Sequence, residues 1–267
     1  MASTASSRIE ALDGIRGYAA VAVAVMHFQG FFLGSQLLEF AYIAVDVFYV
    51  LSGYVISLTY QERIRAGFSF NAFVTARLAR LYPLYLMSTS VGWFHAFALS
   101  IFKRGADSGG AIQWAFEPWV VFGNLLFLPN VKVSPNGELF PFNPPAWSIM
   151  AEVIVNLCFF LWLRGGFRRA TIVIILSGLL LGAAILHHGN VNAGWGGDQE
   201  WFGVLRAVFG FSVGVMLYNL PRSSLVLLRW IPVELVGLTL MLGGMLIGNV
   251  LYQDLFSVFI VVPLLVG

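Results

Sequence analysis

His27, Asp46, Glu152 and Arg206 are ionisable residues set inside long apolar runs. An uncompensated charge at membrane depth costs a few kcal/mol or more, so such groups face a cavity or a partner. Arg16 and His27 are eleven residues apart. At about 100° per residue that is about 1100°, within roughly 20° of three full turns. The two side chains share a helix face, and a rise of about 16 Å takes His27 from an interfacial Arg16 to near the middle of a roughly 30 Å hydrocarbon core. A neutral histidine there can accept a proton from a hydroxyl, with a carboxylate such as Asp46 orienting its ring and stabilising the imidazolium. Transfer of a group to an alcohol needs such a base. A histidine that only hydrogen-bonds a neighbouring helix fits the same spacing.

The other candidates also carry two readings. Asp46 lies in AVDVFYVLSGYVIS, where Ser52 and Gly53 form a small-residue notch open to another backbone or a ligand. The acid either serves the chemistry or is the structural partner of Arg206, since a buried carboxylate needs a cation or a donor in both cases. Glu152 follows Trp147 by five residues in PPAWSIMAEV. It either acts in a site or complements the helix N-terminus that Pro144 and Pro145 announce. Arg77 and Arg80 in ARLARLYPLY are three apart, on one helix face. Guanidinium groups so placed bind phosphates bidentately, and they also set membrane orientation and attract anionic lipid. The adjacent His187 and His188 point to different faces with no further ligand at metal spacing, so they read as an interfacial loop feature and no metal is expected. Cys158 reads as inert packing.

The elements that position these residues are membrane helices. Of the 267 residues 59% are hydrophobic and 10% charged, with a mean hydropathy of +0.83. An ordinary soluble domain carries roughly a quarter of its residues as charge. A formal net charge of +2 is too small for a polyanion-binding protein, so no nucleic-acid partner is expected, and one cysteine excludes an intrachain disulfide framework. Apolar runs fall near residues 15–34, 39–60, 82–102, 112–129, 146–163, 171–187, 201–219, 231–250 and from 255 onward. They are apolar on every side, unlike the alternating strands of a membrane barrel. The expected fold is all-α, a polytopic transmembrane helical bundle of eight to nine spans forming one membrane domain over residues 1–267. The first run has Arg16, His27 and Gln29 and no small-residue cleavage site, so it is a retained helix rather than a signal peptide. The last run stops at Gly267 within its apolar stretch, which predicts a chain that continues.

Arg8 before the first run and Arg63, Arg65, Arg77 and Arg80 after the second place the N-terminus in the cytoplasm. Strict alternation then puts Arg164, Arg168 and Arg169 outside, against the rule. A fourth run that is re-entrant between Pro118 and Pro129 returns them inside with Arg222 and Arg229, leaving HHGNVNAGWGG outside together with Lys103, Arg104 and Lys132.

From Arg8 to about Leu217 the chain resembles the acyltransferase 3 family of integral membrane acyltransferases. IEALDGIRGYAAVAVAVMHF is similar to its opening helix with an Arg-x10-His signature, AVDVFYVLSGYVIS to its second helix and RLARLYPLY to its basic segment. PAWSIMAEV is similar to its Trp-Ser-x-x-x-Glu stretch and RAVFGFSVGVML to its later arginine helix. The resemblance implies about ten spans, of which this chain lacks the late Ser-x-x-x-Tyr-x-x-His stretch. It also implies transfer of an acyl group, commonly acetyl from acetyl-CoA or another acyl-CoA on the cytoplasmic side, to a hydroxyl of a carbohydrate or other acceptor. In that picture His27 is the catalytic base, Asp46 and Glu152 belong with it to the catalytic set and line or hold the path, and Arg16, Arg77, Arg80 and Arg206 serve the CoA donor and the tunnel. A proton-coupled transporter or flippase using His27, Asp46, Glu152 and Arg206 as a relay is the alternative.

Overall fold

The computed structural model describes residues 2–28, 39–102, 117–130, 137–162, 166–196, 199–220 and 254–263. Seven α-helices are present among them: α1 (Ala2–Phe28), α2 (Ala44–Arg65), α3 (Phe70–Phe102), α4 (Pro118–Leu125), α5 (Ala146–Trp162), α6 (Gly166–His188) and α7 (Glu200–Asn219). A 3-10 turn, Glu39–Ile43, leads into α2, and a π-helical turn covers Ser257–Val261. The expected run at 231–250, the loop arginines Arg164, Arg222 and Arg229, and Lys103, Arg104 and Lys132 lie outside the described residues. By length and apolar composition, the stretches Ala41–Arg65, Thr171–His188 and Glu200–Asn219 suffice to cross a membrane.

The chain divides into two compact units. The first comprises Met1–Ala66, Leu161–Asn192 and Leu205–Gly267. In α1, Leu12, Ile15 and Ala19 are buried, a stripe spaced by three and four residues, and α1 packs against α2 and the turn before it. α2 and α7 lie side by side in the same direction. Asp46 meets Arg206 near one end, Gln61 exchanges amide hydrogen bonds with Asn219 near the other, and Tyr54 sets its ring edge-on to Tyr218 between them. The fifteen residues from Asp46 to Gln61 span about 22 Å. Glycine makes this approach possible. A Cβ on Gly53 would collide with the Phe211 backbone, and one on Gly214 with the Val50 carbonyl. The notch read at Ser52 and Gly53 thus receives a backbone.

The second unit comprises Gly67–Phe160 and Ala193–Val204. α3 begins twelve residues before the apolar run at 82, so Arg77 and Arg80 stand inside the helix rather than ahead of it. Pro83 is accommodated without ending α3. Two tyrosines of the same stretch cap α4: Tyr82 donates to the carbonyl of Leu125 at 2.6 Å and Tyr85 to that of Asn124, which also accepts from Phe127 N–H in the closing turn. α4 has 8 residues, about 12 Å. The chain leaves it through Phe127 at φ 60° and turns back so that Asn130 N–H reaches the Leu139 carbonyl. α3 and α5 are antiparallel, with Arg77 against Glu152 and Phe73 against Phe160. In the loop before α5, burial pushes the Glu138 carboxyl above its ordinary range.

Leu84, Met87, Val91 and Phe94 form an exposed stripe along α3, and Ile172, Ile175, Leu176, Leu179, Leu180 and Leu186 another along α6. Large apolar side chains aligned this way need lipid or protein to cover them. Cys158 is exposed, so its packing role is corrected: it lies outside the buried α5 face that carries Val155 and Phe159. His187 and His188 form the last two residues of α6 rather than a loop, because the helix continues past the apolar run.

Candidate active site

In the first unit, α1 is one continuous helix from Ala2 to Phe28, so Arg16 and His27 stand eleven residues apart on a single rigid element. Arg16 reaches back one turn to Asp13 at 2.9 Å in a largely exposed ion pair. His27 is exposed, and its Nδ1 lies 2.8 Å from the Val23 carbonyl, one turn earlier. A carbonyl can only accept, so Nδ1 carries the proton and donates it. In the neutral ring Nε2 then holds the lone pair and is the basic atom.

Asp46 engages Arg206 rather than His27. The guanidinium of Arg206 donates through Nε to Asp46 Oδ1 at 3.1 Å and through Nη2 to Oδ2 at 2.7 Å, with a further bond from Nη2 to the Tyr42 carbonyl at 3.0 Å. The fork matches the carboxylate in the bidentate geometry that makes such pairs strong. Asp46 is in the first turn of α2, where its charge also suits the helix N-terminus. The network continues beyond this pair. Tyr42 Oη donates to Asp254 Oδ1 at 2.7 Å, and Val191 N–H donates to Asp254 Oδ2 at 2.7 Å. Asp254 is fully buried. Sequence reasoning passed over it, although it heads an apolar run just as Asp46 does. Tyr42 gave no signal.

In the second unit Arg77 Nη2 donates to Glu152 Oε1 at 2.9 Å, joining α3 to α5. Arg80, three residues on, is exposed while Arg77 is buried. The two arginines therefore differ in environment despite their shared helix. One turn along α5 from Glu152, Asn156 is 1% exposed and neither atom of its amide has a hydrogen-bond partner. Among the described residues no three His, Cys, Asp or Glu side chains form a metal-holding group.

Apolar helices that expose lipid-compatible stripes and bury ion pairs between helices define an integral membrane protein of the helical class. The chain belongs to the acyltransferase 3 family, whose "Acyltransferase domain" matches residues 9–267 and so runs through both units. Protein 2 in picA locus of Rhizobium radiobacter is 32% identical over 189 residues, which cover 68% of this chain and 96% of that protein. Acyltransferase MdmB of Streptomyces mycarofaciens is 31% identical over 166 residues, 59% of this chain and 40% of its own length. O-acetyltransferase OatA of Staphylococcus aureus is 28% identical over 188 residues, 66% of this chain and 29% of its own. The aligned part is thus less than half of MdmB and of OatA. No solved structure matches.

Proposed function

We propose that the protein is a multi-pass membrane O-acyltransferase that moves an acyl group, acetyl in the simplest case, from an acyl-CoA to a hydroxyl of a carbohydrate or other acceptor, with His27 as the base. The observation that carries this reading is the His27 ring, whose Nδ1 is committed to the Val23 carbonyl and whose Nε2 is left as acceptor. Nε2 takes the acceptor's hydroxyl proton as its oxygen attacks the thioester carbonyl. The C–S bond then breaks, the imidazolium returns the proton to the leaving thiolate, and the products are an ester and CoA. The names of the MdmB and OatA relatives support acyl and O-acetyl transfer over the transporter alternative.

Arg80 is the phosphate-facing group on this reading, with Arg77 joining it in exchange with Glu152. Arg16, midway along α1, stands at the cytoplasmic interface on this reading. The Asp46–Arg206 pair holds α2 to α7 and acts on the chemistry only by fixing those helices.

A cytoplasmic N-terminus with a non-spanning fourth run is the topology we adopt. If every run crossed the membrane, α3 and α5 would run parallel and α2 and α7 antiparallel. Without a crossing at the fourth run, α3 and α5 become antiparallel and α2 and α7 parallel, which is the geometry their contacts support. A helix of about 12 Å at α4 supports the same choice. Eight spans then remain of the nine runs.

The test is transfer of labelled acetyl from acetyl-CoA in membranes that hold the protein or its His27→Gln form. The variant should insert normally and lose roughly 10²- to 10⁴-fold in rate. Equal transfer by both forms would remove His27 from the chemistry.

A further inference from the structure

We propose that the α3–α5 face around Asn156 binds the adenine ring of the acyl donor, which rests on the reading of acyl-CoA as donor. Asn156 is 1% exposed, and both Nδ2 and Oδ1 lack a hydrogen-bond partner. Exchanging the amide nitrogen and oxygen does not rescue it, since both atoms are orphaned. A buried amide left in that state loses its hydration without return, and such groups usually mark a place that a ligand or water fills.

The surroundings narrow the ligand. Glu152, Asn156 and Phe160 are spaced by four on α5, so they form one stripe, and its two ends both touch α3. At one end Arg77 Nη2 meets Glu152 Oε1 at 2.9 Å, with Arg80 exposed one turn further along α3. At the other end the Phe160 ring lies 5.6 Å from that of Phe73 and 5.2 Å, edge-on, from that of Phe70. Phe70 is exposed, so the stripe reaches the surface there. Along a single line the molecule therefore offers aromatic rings, a carboxamide and then guanidinium groups.

Adenine meets the first two of these. Its N6 amino group donates and its N7 accepts, a pair that an asparagine amide matches with two hydrogen bonds, whereas hypoxanthine presents two acceptors on that edge. Phe70, exposed where Phe73 and Phe160 are buried beneath it, gives a base a ring to stack on. One helical turn, about 6 Å, separates Asn156 from the level of Arg77, a span comparable to that from a nucleotide's base to its phosphates. Entry at Phe70 then orders the donor with its base outermost, its phosphates at the arginines and its thioester arm deepest.

Titration calorimetry of the protein in detergent micelles with CoA, its hypoxanthine analogue and acetylpantetheine tests this. Hypoxanthine replaces the donating amino group by a carbonyl, and acetylpantetheine has no nucleotide. The wild type should prefer CoA to the hypoxanthine analogue. Asn156→Leu should weaken CoA binding roughly 5- to 30-fold and abolish that preference, with acetylpantetheine binding unchanged. Asn156→Asp, which can accept but not donate when ionised, should fall in the same direction and serves if the leucine variant does not fold. Variants that bind CoA as the wild type does would overturn the adenine site and leave the acyl-CoA reading standing, as would equal losses for CoA and acetylpantetheine. A wild type that binds no CoA would end both.

Discussion

Arg206 and Arg77 each reach from one helix to a carboxylate on another. Arg206 meets Asp46 through a two-bond fork, with the side chains 1% and 3% exposed, whereas Arg77 meets Glu152 at 2.9 Å with the side chains 9% and 21% exposed. The difference lies in what surrounds them. The first pair sits where glycines bring α2 and α7 into backbone contact, and Tyr42 and Asp254 extend its network. The second is flanked by exposed Arg80 and by an Asn156 amide with no partner. Full enclosure and satisfied partners make a pair expensive to break, while partial exposure and an unsatisfied neighbour leave a pair free to exchange partners.

Asp46→Ala should break that comparison most strongly. It leaves Arg206 charged in a buried setting, which costs about 3–5 kcal/mol, visible as a large fall in Tm of the detergent-solubilised protein. Replacing both residues by leucines should recover much of that loss. Gly214→Leu attacks the same contact through sterics: the side chain meets the Val50 carbonyl and the Tyr54 backbone N, which have little room to give. A loss of about 1–3 kcal/mol in the same assay is expected. Glu152→Gln should have the smallest effect on stability, about 1 kcal/mol or less, because the pair is partly hydrated and the glutamine carbonyl still accepts from Arg77. It should also raise CoA affinity by releasing the guanidinium from its counter-charge, read by calorimetry.

The eleven-residue spacing of Arg16 and His27 was legible because both lie on one helix, where periodicity alone fixes the face. The pairing of Asp46 with Arg206 was one of two readings, since a buried acid must find a cation somewhere. Arg77 with Glu152 was not legible. They are 75 residues apart, and only the antiparallel packing of α3 on α5 joins them. The helix carrying Arg77 began earlier than its apolar run because hydropathy registers lipid-facing turns and misses charged ones. Asp254 was overlooked although the rule that singled out Asp46 applies to it equally. Asn156 had the same kind of signal, a polar residue in VIVNLCFF, whose meaning depends on partners that a sequence does not display.

Measuring Tm and the KM for acetyl-CoA on the same preparations of Arg77→Gln and Arg206→Gln tests the separation of the two pairs most directly. The account predicts that Arg206→Gln loses most of its stability while its folded fraction keeps the wild-type KM, and that Arg77→Gln keeps its Tm within a few degrees while KM rises roughly tenfold. Equal losses of stability in the two variants, with KM unchanged in both, would contradict it.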